Sequence, residues 1–249
     1  MNLTFEIKKQ FLVASTLFRR NKECIELKNR LWDKYRKSYE LFNHYEPLRF
    51  FSQEDPIKTL DEVNKEFANL MKDALNSNEF SDLYKKTESY KSWLVNEWES
   101  KKARVEKELT DMFRIELPEQ EIKILVVHPS VGGGFHIKNG LIFWGTEEHW
   151  PNYNVVYLAH EFLHEIFDSS DFHHALIELA TDNELRIRLN GKGDYFREEE
   201  ADVGHSRLRT TENALLPEWK KYLSSPKQNI YEFLKIQQRK TEYPSLDIG

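Results

Sequence analysis

The first apolar pattern along the chain is an alternation. Leu3, Phe5 and Ile7 fall on one face of residues 3–7, which predicts a short strand. The spacing then turns helical. A helix is predicted from about Lys9 to Lys22 or further. Residues 23–45 read as an amphipathic helix with Ile25, Leu27, Leu31, Trp32, Tyr35, Tyr39 and Leu41 on or near one stripe. Pro47 and Pro56 bracket a loop. Leu60, Val63, Phe67, Leu70, Met71 and Leu75 give residues 57–76 a helical face. Residues 80–115 form a long charged helical stretch, broken at most once. Its aromatic side chains belong to a core, and the Lys and Glu residues between them to a solvated face.

The texture changes at Pro118. Ile122–Val127 is compact and rich in β-branched residues, as in a buried strand. Phe135–Phe143 reads as a second strand or hairpin, with Asn139-Gly140 as its tight turn. Gly132, Gly133 and Gly134 predict a flexible turn at the rim of a cleft. They lack the spacing of a phosphate loop, and no Lys-Ser or Lys-Thr follows them. After Pro151 the pattern is helical again. The expected class is therefore α+β and mostly helical. A helical N-terminal region covers 1–117. The second region, 118–249, begins with a small sheet and continues with helices, and the two regions can form one continuous domain.

Composition narrows the class of protein. The chain has 249 residues, of which 39% are hydrophobic and 31% charged, as in a soluble globular protein with a real core. With only 9 Gly and 8 Pro, long structureless stretches are not expected and helix should dominate. A formal charge of −6 argues against a broad nucleic-acid surface. Cys24 is the single cysteine, so no internal disulfide forms, which suits the cytoplasm. It is expected as a buried or half-buried helix residue, with nothing nearby to activate a thiol. No apolar run approaches the ~20 residues that cross a bilayer, so no membrane association is expected. Lys8 and Lys9 before Phe11–Phe18 faintly suggest a leader. Ser15 and Thr16 interrupt that run and Arg19 and Arg20 follow it, so it reads as a folded segment.

Candidate chemistry is concentrated in one helix. Pro151 and the asparagines after it are good helix starters, and the residues that follow are strongly apolar as far as Phe167. Into this helix the sequence sets His160, Glu161 and His164. The two histidines are four apart, so their rings stand on one face, one turn apart. Zinc accepts neutral imidazole at ~2.0–2.1 Å, a distance at which both rings reach one ion. Glu161 sits ~100° round the helix from His160, near enough to meet a metal-bound water yet turned away from ligation. The plainer alternative is a pair of core histidines bonded to the backbone. That alternative leaves two imidazoles and a carboxylate in an apolar helix all needing partners, which a zinc ion supplies at once.

A catalytic zinc takes three protein ligands and keeps one position open. A helix predicted from about Asp171 to Asn190, ended by Asn190-Gly191, offers candidates. Glu178 is the first choice, fourteen residues after His164, with His174 one turn before it and Asp182 one turn after. Asp182 is placed to orient a metal-bound histidine. Glu184 points to another side, and Asp171, His173 and His174 are lesser candidates. The motif His160-Glu161-Phe162-Leu163-His164, followed by Glu178-Leu179-Ala180-Thr181-Asp182, resembles the gluzincin group of zinc metallopeptidases over roughly residues 120–190. The spacing to Glu178 is shorter than is usual in that group, and Glu165 is charged where the group has an uncharged residue.

The resemblance implies a zincin-like pair of active-site helices after the sheet and a peptide or protein substrate. It implies His160, His164 and Glu178 as ligands, Glu161 as general base, and Asp182 as the support of a ligating histidine. It also implies that the strand before the motif, about Phe135–Phe143, edges the cleft and pairs with an extended peptide. Such peptidases stabilise their tetrahedral intermediate with a His or Tyr. His205, after Gly204 in an expected loop, is the first candidate, with Tyr195 and Tyr153 behind it; Glu198, Glu199 and Glu200 read as a solvated run. Two other readings stand beside the zinc peptidase. One is a non-catalytic zinc-binding regulatory or interaction protein on the same scaffold, suggested by the large helical first half. The other is a helical interaction protein carrying the motif by chance.

Overall fold

The computed structural model describes residues 1–18, 25–36, 56–138, 140–168, 170–198 and 201–242. Cys24, Tyr39, Leu41, the loop from Pro47 up to residue 55, Asn139 and the pair Glu199 and Glu200 lie outside the described residues. By its contacts the chain falls into two compact units, and neither is a single run of sequence. One comprises residues 4–94 and 123–147, the other 1–3, 95–122 and 148–249. This division does not follow the change of texture at Pro118. The architecture is α+β and mostly helical, as expected. No helix among the described residues is long and apolar enough to cross a membrane.

In the first unit α3 (Pro56–Leu75) packs against α1 (Lys9–Phe18) and α2 (Ile25–Lys34). The apolar face of α2 is Leu27 and Leu31, continued by Tyr35, all buried. Ile25, expected on that stripe, is 52% exposed. It lies two residues before Leu27, ~200° round the helix, and so on the opposite side. Leu12 and Val13 of α1, Leu70 and Ala74 of α3, and Phe143 of the sheet close the same core.

The charged stretch is one unbroken helix, α4 (Asn78–Phe113). Ser77 caps it, its Oγ accepting from the Phe80 N–H at 3.1 Å. Leu94, Trp98, Val105 and Leu109 recur at helical spacing and are fully buried, which is why propensity and packing agree over so long a run. Arg114, at φ 56°, stops the helix.

The sheet has the order β1-β2-β4-β3, from β1 (Asn2–Glu6), β2 (Glu121–Val126), β3 (Gly133–Lys138) and β4 (Leu141–Gly145). β2 runs parallel to β4, with Lys123 opposite Leu141 and Val126 opposite Trp144. β3 is antiparallel to β4, with an irregularity between His136 and Lys138. The triple glycine differs from expectation. Only Gly132 turns, closing a single 3-10 turn at Pro129–Val131, while Gly133 and Gly134 are strand residues paired with Gly145 and Trp144.

The second unit carries the polar residues of interest. α5 (Tyr153–Leu163) is followed by α6 (Asp171–Glu178), which passes directly into a π-helical segment, Leu179–Leu185, and then α7 (Arg186–Asn190). A two-residue hairpin, β5 (Arg197–Glu198) and β6 (Ala201–Asp202), precedes α8 (Arg209–Ser224) and α9 (Ile230–Glu242). α5 packs on α6 and the π segment, and α6 also packs on α8. Trp219 and Tyr222 of α8 stack at 5.3 Å, Phe233 of α9 lies 4.8 Å from Tyr222, and Arg114 sits 4.3 Å above the Tyr222 ring.

Candidate metal centre

The start of α5 is not capped by the asparagines. Asn152 has φ 67° and makes no side-chain cap. Glu148 does the work from outside the helix: its Oε1 accepts from the Tyr153 N–H at 3.1 Å, and its Oε2 from the Asn154 N–H and side-chain amide at 3.3 and 2.6 Å. A carboxylate at a helix N-terminus also meets the favourable end of the dipole. The helix buries Val155, Val156, Leu158, Ala159, Phe162 and Leu163, and this carries His160 inside with them. His164 follows the last helical residue, and its N–H still reaches the His160 carbonyl at 3.3 Å, so the one-turn offset of the two rings survives.

Those rings converge. His160 Nε2 and His164 Nε2 are 3.1 Å apart. The His174 ring, from α6, stands nearly perpendicular to both, 5.3 Å from His160 and 4.6 Å from His164. Nitrogens of His160, His164 and His174 lie within 4.8 Å of one another, and these three can hold a metal ion. A second trio, His174, Glu178 and His205, meets the same limit and shares His174. Glu178 therefore belongs to the overlapping group rather than to the one containing His160 and His164. It is fully buried. Its Oε2 accepts the His205 backbone N–H at 2.9 Å, its Oε1 contacts His205 Nδ1, and the same oxygen is 3.4 Å from His174 Nε2.

Asp182 stands where the sequence suggested. Its Oδ1 accepts from His160 Nδ1 at 2.8 Å and from the Thr181 hydroxyl at 2.9 Å. The proton is thereby fixed on Nδ1, and Nε2 is aimed at His164. Burial alone would push His160 down, but the charge of Asp182 and its hydrogen bond, with Glu161 and Glu178 beyond, lift it to about 9. His174 is pushed the other way, to about 4, by burial and then by the charge of His160. The hydrogen bond to Glu178 raises His205. Glu161 is half-buried on the same helix.

Sequence reasoning missed four contributors. Glu212 of α8 is fully buried, its oxygens make no hydrogen bond among the described residues, and its ion pair is with Arg209 at 3.3 Å. Burial and the neighbouring Glu178 charge raise it well above the usual carboxylate range. Asp182 Oδ2 and His174 Nε2 are likewise buried without a hydrogen bond. Asn183, in the π segment, donates to the Glu178 carbonyl at 2.9 Å and accepts the Phe196 N–H at 2.5 Å. Arg186, fully buried, donates to the Asp182 carbonyl at 2.8 Å and ion-pairs with Glu198. Asn183 and Arg186 thus tie the loop after α7 to the helix, and that loop delivers Gly204 and His205 onto Glu178. The available signal was a charge, Arg186, set among Leu185, Ile187 and Leu189. The fourth contributor, Glu148, leaves no local sign.

The remaining candidates lie elsewhere. Glu184 accepts from Arg188 at 2.7 Å and from the Tyr195 hydroxyl at 2.6 Å, which removes both Glu184 and Tyr195 from the cluster. Asp171 pairs with Arg207. His173 is engaged by Asp168 at 2.5 Å and by Ser170 at 3.1 Å. Tyr153 lies tilted against Tyr157 at 4.6 Å, one turn further from His160. Compared with known proteins, the chain matches no family model, no curated protein and no solved structure.

Proposed function

We propose that this chain is a zinc-dependent hydrolase of peptide bonds, similar in its chemistry to the gluzincins. The observation that carries the reading is the 3.1 Å approach of His160 Nε2 to His164 Nε2, with Asp182 bound behind His160. Two ligands ~2.0–2.1 Å from one tetrahedral ion stand ~3.3–3.4 Å apart, so the rings need to spread by only a few tenths of an ångström. The surroundings favour a cation as well. Glu178 and Asp182 are fully buried and have no Lys or Arg ion pair among the described residues, and buried carboxylate charge is costly without a cation beside it.

The third ligand comes from α6. The first reading is His174, supported by a nitrogen within 4.8 Å of those of His160 and His164. Glu178, one turn on, is the second reading. In its favour are its complete burial and the place of Asp182 four residues later. Zinc stoichiometry of His174→Ala and Glu178→Ala separates the two, because the variant that loses the ion names the ligand.

When bound, zinc lowers the pKa of a water to about 7 and polarises the scissile carbonyl. Glu161 takes the proton of the attacking water and passes it to the leaving amine. Asp182 holds the His160 ring in register. His205, with its exposed ring 6.4 Å from that of His160, is assigned to the developing oxyanion. Glu161→Gln should keep stoichiometric zinc and lose about 10²–10⁴-fold in cleavage of a peptide library. Unchanged cleavage removes the mechanism. Zinc without cleavage by the unaltered protein favours a zinc-binding regulatory protein instead.

A further inference from the structure

A recess of about 500 Å³ opens in the second unit, lined by His149, Trp150, Tyr153, Tyr157, Asp202 and Gly204, with Glu198 at its edge. Its volume is that of a site for a small ligand or one side chain, ~300–1,000 Å³. The position ties it to the metal centre. Tyr157 is one turn before His160 on α5, and their rings are 5.9 Å apart. Gly204 precedes His205, which grips Glu178.

The walls are aromatic and set at angles to each other. His149 meets Tyr153 edge-on at 4.8 Å, Trp150 meets Tyr153 edge-on at 4.9 Å, and Tyr153 lies 4.6 Å from Tyr157. Four rings thus line one recess, and the π face of an aromatic ring attracts a cation. Trp150 already has one guanidinium near it, that of Arg186, at 5.8 Å. That charge is matched by the ion pair with Glu198. Asp202 is exposed and makes no ion pair among the described residues, so it adds a negative charge at the rim.

We propose that this recess takes a cationic side chain, arginine or lysine, of a peptide substrate, with the aromatic walls around its head and Asp202 as counter-charge. The proposal rests on the hydrolytic reading of the metal centre for the word substrate, and it sets the preference of that hydrolysis: cleavage next to a basic residue.

The test uses N-terminally labelled, C-terminally amidated hexapeptides of alanine and glycine in which one arginine is scanned through the positions, each paired with a citrulline peptide of the same shape and no charge. Binding is read by fluorescence anisotropy on zinc-loaded Glu161→Gln protein, and cleavage on the unaltered protein. At one position arginine should bind about tenfold more tightly than citrulline, the size of a cation–π contact with a partly desolvated partner. Asp202→Asn should lower that ratio about two- to fivefold, the most an exposed ion pair adds, and Asp202→Lys should lower it further. Asp202 is exposed, so both variants are expected to fold, and far-UV circular dichroism verifies this. Equal binding of arginine and citrulline, no binding of either, or a ratio indifferent to both Asp202 variants overturns the proposal. Arginine preference in binding with no cleavage by the unaltered protein keeps the recess and removes the hydrolytic reading. Cleavage of both peptide series alike keeps the hydrolytic reading and removes the recess.

Discussion

Two glycines with nearly the same backbone angle make a quantitative test of how tightly Glu178 is held. Gly191, which ends α7, has φ 70°, and a Cβ built there meets nothing within 4 Å. Gly204 has φ 81°, and a Cβ there falls 2.3 Å from Glu178 Oε2, 3.2 Å from its Cδ and 3.7 Å from Asp182 Oδ2. Alanine at either position pays ~1–2 kcal/mol for the left-handed conformation. About 0.4–1 kcal/mol of that returns because the unfolded chain loses freedom. Gly191→Ala should therefore cost about 1 kcal/mol. Gly204→Ala carries the same term plus the displacement of a buried carboxylate anchored by two groups of His205, an overpacking cost of ~1–3 kcal/mol. Urea unfolding of the two variants, followed by circular dichroism at constant m-value, should place Gly204→Ala below Gly191→Ala by that second amount. Adding Glu178→Ala to Gly204→Ala removes the clash and should recover it as a coupling energy. Equal losses for the two glycine variants, within ~0.5 kcal/mol, would refute the claim that the Glu178 carboxylate is fixed where it stands.

Asp182→Asn should weaken zinc binding by about 10–100-fold, measured against a competing chelator, because the ring of His160 loses the carboxylate that orients it; an unchanged affinity would detach Asp182 from the centre. Arg186→Met should cost about 3–5 kcal/mol in urea unfolding, since it strands the buried Glu198 carboxylate; a loss under 1 kcal/mol would show that the pair adds little. Asp168 is held low, at about 2, by hydrogen bonds from Ser170 and His173. Its contribution to stability is complete above the ordinary carboxylate range and is lost as the pH falls toward 2, so Asp168→Asn should lower stability at neutral pH, leave it nearly unchanged near pH 2 and flatten the acid limb in between. Acid titrations of both proteins that superimpose would contradict this.

How much of this was readable from the sequence depends on how local each cause is. The one-turn offset of His160 and His164 is a property of any helix, so their shared face followed from numbering alone. Asp182 reached His160 because α5 and the π segment pack on each other, and the four-residue step from Glu178 marked the face it would present. The choice between His174 and Glu178 is different. Both stand on that face, and only the distance between helices decides which side chain arrives, a quantity that no periodicity encodes. Glu148 caps α5 from beyond a proline, and Glu212 comes from a later helix, 34 positions after Glu178; neither leaves a local trace. Ile25 failed for a simpler reason: it is two residues off the true stripe of Leu27 and Leu31, and apolar character alone does not assign a face.

The widened turns of Leu179–Leu185 have a geometric consequence for the whole centre. His174, Glu178, Asp182 and Arg186 recur every four residues. In an ordinary α-helix each such step overshoots a full circle by ~40°, so three steps would carry the last residue ~120° away from the first. A segment closed by i→i+5 bonds winds more slowly and takes back part of that drift. The four polar side chains can then form a nearly straight column along a single wall, with ligand candidates at one end and the loop anchor at the other. Deleting one residue from this segment would turn the column into a spiral, and Arg186 could no longer pull the Gly204 loop down over Glu178.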